Sequence, residues 1–71
     1  MLFRSLSPRV LQEWSNRVYA EYGSAALSAR VVHGLIATGM PRPLIRKAQQ
    51  IVEEELDHAE LSMEVYRALI W

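Results

Sequence analysis

The chain has no cysteine among its 71 residues, which excludes disulfides, zinc–thiolate sites and thiol chemistry at once. It has no excess of either charge, because eight basic residues balance eight acidic ones. That balance leaves no electrostatic footprint for nucleic acid or a charged membrane surface, and neither is expected as a partner. No apolar run approaches the roughly 20 residues of a transmembrane helix. The first residues, Met1 to Ser7, combine Arg4 with a few large apolar side chains but lack the apolar core of a signal peptide. A cytoplasmic location is the default expectation. Repeats, linkers and low-complexity segments are also missing.

What is present is a sequence 51% apolar, well above what a disordered chain carries. A domain this small buries only about 60% of its unfolded surface. Natural domains of such size lean on disulfides, metals or partner subunits. With disulfides excluded, metal and self-association remain.

Two helices and one turn account for the whole pattern. Ser7-Pro8 reads as an N-cap followed by proline at the first helical position, where its missing N–H costs nothing. The first helix is expected from about residue 8 to about residue 38. Gly39 then supplies a left-handed C-terminal cap, and Pro41 stops the helix from resuming. A second helix is expected over about residues 43–70, with Pro43 in its first turn. The connection is too short for anything but an antiparallel return, so the expected fold is an all-α helical hairpin.

Alternating steps of three and four trace an apolar seam along each helix. The first runs Leu11, Trp14, Val18, Glu21, Ala25, Ser28, Val32, Leu35, and the second Leu44, Ala48, Ile51, Glu55, His58, Ser62, Val65, Leu69. Flanking stripes widen both faces: Tyr22, Ala26, Ala29 and Ile36 on one helix, Val52, Leu56, Ala59, Met63 and Tyr66 on the other. Faces this wide exceed what two helices can cover on each other. A second hairpin is expected, completing a four-helix bundle as a homodimer or higher homo-oligomer. Gly23 and Gly34 fall inside the first helix, each costing about 1 kcal/mol relative to alanine.

The seams are interrupted by three ionisable residues. Glu55 and His58 form an E-x-x-H step, which places both side chains on one helix face about a turn apart. Glu21 breaks the facing seam. It lies 18 residues before Gly39, while Glu55 and His58 lie 16 and 19 after it, so an antiparallel hairpin brings all three to one height. A carboxylate in a helix interface is costly unless paired or bound to metal. Carboxylate oxygen together with imidazole nitrogen suits iron and manganese better than zinc.

A glutamate on one helix and E-x-x-H about thirty residues later resembles one half of a ferritin-like di-iron carboxylate protein. The resemblance spans Leu11 to Tyr66. It implies a site of four carboxylates and two histidines, with Glu21, Glu55 and His58 supplying one half. The other half is then expected from a second copy, or from the remainder of a longer chain of which this is a fragment. The implied cofactor is a pair of iron ions, with manganese as the substitute, and the implied chemistry is O2-dependent oxidation, as a ferroxidase or an oxygenase. Glu54 is a candidate acceptor for the ring N–H of a ligating histidine, and Tyr22 for a hydrogen bond to a carboxylate ligand. Each also has a plainer reading, Glu54 as a solvated acid and Tyr22 as packing. Asp57 and Glu60 read as a solvated face, His33 as a flank histidine, Tyr66 as core and Trp14 as a seam anchor. The alternative for the whole chain is a non-catalytic helical-hairpin interaction module that keeps the ligand pattern as a relic.

Overall fold

The computed structural model describes residues 7–70 as two helices and no strand, α1 (Pro8–Ala37) and α2 (Arg42–Ile70). They form a hairpin 54 Å long and 15 × 11 Å across.

Local chemistry sets each end. Ser7 takes extended backbone (φ −70°, ψ 152°), and its hydroxyl accepts from the Val10 N–H at 3.4 Å. This satisfies one of the donors that a helix N-terminus leaves unpaired. At the other end of α1, the Met40 N–H donates to the Leu35 carbonyl at 2.9 Å and the Gly39 N–H to the Ile36 carbonyl at 3.0 Å. These two bonds make a Schellman cap, which needs the left-handed residue that Gly39 supplies at φ +70°. The Thr38 hydroxyl donates to the Gly34 carbonyl at 2.8 Å, which also accepts the Thr38 N–H at 3.0 Å. The Pro41 carbonyl then receives the N–H groups of Leu44 and Ile45 and opens α2 directly. A side chain at Gly39 would meet open space but a strained backbone, so Gly39→Ala is expected to cost about 1 kcal/mol in urea unfolding.

All eight seam positions of α1 are buried or half-buried, with Val18 and Ala25 deepest. The second seam requires a correction. Leu44, Ile51 and His58 are exposed, whereas Ile45, Val52, Ala59 and Tyr66 turn inward beside Ala48, Glu55, Ser62 and Leu69. Two stripes run side by side on α2, and a single partner helix can cover only one and its margin. Small residues decide which: Ala59 is fully buried and Ser62 nearly so, with Val18 and Ala25 the most buried on α1. Helices approach most closely where side chains are shortest, and α2 is rotated to place its shortest ones inside. Ala59→Leu is therefore expected to push the helices apart and cost about 1–3 kcal/mol, read as a lower midpoint of thermal or urea unfolding.

Apolar side chains remain uncovered on both flanks. Leu44, Ile51 and Val31 lie on one, Tyr22 and Ile36 on the other, and Leu61 is exposed on the outer side of α2. No described helix is long and apolar enough to cross a membrane.

Candidate metal centre

The hairpin brings Glu21, Glu55 and His58 together at mid-height. One ligand atom from each lies within 4.8 Å of the other two. His58 Nδ1 is 3.4 Å from Glu21 Oε2 and 4.0 Å from Glu55 Oε1. Constant rise per residue explains the coincidence, since Glu21 and the E-x-x-H step are nearly equidistant from the turn. Rigid helices hold both carboxylates, and the α2 rotation brings Glu55 inward while leaving the His58 side chain 60% exposed. The imidazole therefore closes the cluster from its solvent side.

The electrostatics of the cluster are unbalanced. Glu21 Oε2 is buried and has no hydrogen-bond partner, so its desolvation is offset only by the His58 nitrogen 3.4 Å away. The Glu55 carboxyl is held above its ordinary value of 4.5. A hydrogen bond with Glu21 that favours the protonated form is the main cause, burial and the Glu21 charge add to it, Glu54 adds a little, and His58 opposes it. A proton on Glu55 thus gives the two carboxylates the donor they lack. A cation between them would serve the same need with more charge. Two carboxylate oxygens and one imidazole nitrogen, with an oxygen awaiting a donor, fit a hard to borderline divalent ion such as Fe(II) or Mn(II).

The other candidate residues lie outside this cluster. Tyr22 is exposed and lines a groove on the opposite flank with Glu60, Met63 and Glu64. Glu54 is exposed and acts on the cluster only through its charge on Glu55. Among the described residues neither makes a hydrogen bond to the three. His33, Asp57 and Glu60 are exposed, and Tyr66 is half-buried against α1. Trp14 is half-buried on the α1 seam, with the Arg17 guanidinium 4.9 Å from its ring centre, a cation–π contact worth about 0.5–1 kcal/mol where exposed. Sequence counting did not mark the exposure of His58, which depends on which α2 stripe faces inward.

No protein-family model matches the chain, and no curated protein or solved structure matches it either. The functional reading therefore rests on the three residues and the hairpin that carries them.

Proposed function

We propose that the chain is one half of a di-iron carboxylate protein, and that two copies complete the site and carry out O2-dependent oxidation. The observation that carries this reading is the convergence of Glu21, Glu55 and His58 around a buried carboxylate oxygen that has no donor. Glu21 and Glu55 would hold the metal through carboxylate oxygens and His58 through Nδ1, the nitrogen turned toward them. Iron, with manganese as its substitute, supplies when bound the electrons that reduce O2.

The remaining work falls to the chain's own residues. The neighbouring Glu21 makes a proton on Glu55 easier to hold than on an isolated carboxyl, and a cation bound between the two would compete with that proton. Glu21 is fixed by the α1 seam and needs no reorganisation. Three donors are too few for an iron ion, which takes up to six ligands. A second copy placed against the His58 flank would bring the total to four carboxylates and two histidines. The uncovered Leu44 and Ile51 on that flank would then exclude water around the site. The oxidised substrate would be iron itself in a ferroxidase, or an organic molecule in an oxygenase.

The exposure of His58 and the uncovered apolar flanks favour one rival, a non-catalytic hairpin that docks on a partner. The two are separated by adding Fe(II) anaerobically, removing excess, and then admitting air. The di-iron reading expects about one iron per chain and O2 uptake that scales with bound iron. Normal helicity with neither metal nor O2 uptake would establish the docking module instead.

A further inference from the structure

The outward face of α2, opposite the His58 stripe, has a charge pattern that the hairpin itself does not use. Its first turns hold Arg42 and Arg46, and its next basic residue is Arg67. Four acidic residues, Glu53, Asp57, Glu60 and Glu64, lie between them on the same face. This order is unfavourable within one helix. Arg42 sits in the first turn, which contains no acidic residue, against the positive end of the helix dipole. Glu53 and Asp57, like Glu60 and Glu64, are like charges four residues apart, a spacing that destabilises an isolated helix. Among the described residues the ion pairs are Arg9–Glu13 and those of His58 with Glu21 and Glu55, so none of these outward charges is paired.

The positions of the charges have a centre. Arg46 and Glu53 are symmetric about the midpoint between Gln49 and Gln50, and so are Arg42 and Asp57. At about 100° per residue, all six residues fall on one stripe of the helix, and all six are exposed. A groove of about 690 Å3 between the two helices adjoins this stripe. Val32 and Val52 line it together with Arg46, Gln49, Gln50 and Glu53. Charge order and symmetry thus coincide on one stripe, with apolar surface beside it.

We propose that this stripe is a homotypic docking surface, on which α2 of a second copy packs antiparallel about a two-fold axis at Gln49–Gln50. A two-fold contact is self-complementary, so each attractive pair occurs twice. Arg46 meets Glu53 of the second copy and Arg42 meets its Asp57, giving four ion pairs from two sequence relationships. Glutamine amides carry both a donor and an acceptor, so Gln49 of each copy can pair with Gln50 of the other at the axis. The inference does not depend on the metal reading, because the stripe shares no residue with Glu21, Glu55 or His58 and faces away from them.

The test is sedimentation equilibrium of the full chain, treated with chelator, for the native sequence, Arg46→Glu, Glu53→Arg and the double exchange. Each single reversal turns two attractions into two repulsions, so the dissociation constant should rise at least about tenfold. The double exchange restores opposite charges across the axis and should return the constant to within about threefold of the native value. Association of the native chain should also weaken at about 1 M salt, where charges are screened beyond about 3 Å. Circular dichroism confirms that these exposed substitutions leave the helices intact. The proposal is overturned if the native chain is monomeric at about 100 µM in low salt, a concentration at which even a weak contact of about 5 kcal/mol would register. It is equally overturned if the single reversals associate like the native chain, or if the double exchange is no better than either single.

Discussion

Replacing His58 or Glu55 with alanine is expected to abolish tight Fe(II) and Mn(II) binding, while His33→Ala leaves it unchanged. The hairpin offers three ligand atoms within 4.8 Å of one another, so losing any one removes a third of what a single chain contributes. Loss of an outer hydrogen-bond partner typically weakens metal sites by about 10–100-fold, and loss of a ligand itself should exceed about 100-fold. Folding should survive both changes. The His58 side chain is 60% exposed, and removing the Glu55 carboxylate takes away its repulsion against Glu21 along with the hydrogen bond between the two, so the effects offset in part. Competition titration with a chromogenic chelator, alongside circular dichroism of the metal-free variants, reads both effects. If His33→Ala were the variant that lost the metal, the cluster would be in the wrong place.

Metal is expected to raise the melting temperature strongly at neutral pH and little in acid. A ligand that binds only the folded state at about 100 times its dissociation constant adds about 2.7 kcal/mol. For a domain of this size that corresponds to roughly 10–20 °C. The pH dependence follows from Glu55, whose folded-state pKa lies above 4.5. Between the unfolded value and that raised value the folded state holds the extra proton, so unfolding releases it. Stability of the metal-free protein is therefore full below about pH 4.5 and is lost as pH rises through the folded pKa. Metal must displace the same proton, which weakens binding in acid and widens the gap between loaded and metal-free melts toward neutrality. Glu55→Gln keeps a donor facing Glu21 at every pH. It should flatten the metal-free profile and remove the metal effect together, and Glu21→Gln should reduce both. Melting curves from pH 4 to 8, with and without Mn(II), measure this directly. Curves that metal leaves unmoved at every pH would dismiss the cluster as a metal site.

The hairpin was legible wherever local chemistry decides the outcome. Ser7-Pro8 and Gly39-Met40-Pro41 are capping sequences whose hydrogen bonds involve near neighbours, and the expected helix ends fall within one residue of those found. Counting from Gly39 placed Glu21 level with Glu55 and His58 because helical rise is constant. The inward stripe of α2 was not legible. Leu44-Ile51-His58 and Val52-Ala59-Tyr66 are both regular, and the choice between them depends on how closely α1 can approach. That is a property of the pair of helices. For the same reason Tyr22, beside Glu21 in sequence and a candidate hydrogen-bond partner for it, lies on the opposite flank from the cluster. The uncovered flanks were legible too, as apolar width in excess of what two helices cover on each other.

The mid-height position of the cluster bears on how fast anything held there can leave. Glu21 is the fourteenth residue of the 30 in α1, and Glu55 the fourteenth of the 29 in α2. Unzipping from the open end, or from the turn, would have to melt about three and a half turns before either carboxylate came free. End fraying, the cheapest motion of a helix pair, stops well short of that. An ion held there would have to leave sideways, past the exposed imidazole of His58, so its residence time would depend on that side chain and on whatever lies against that flank.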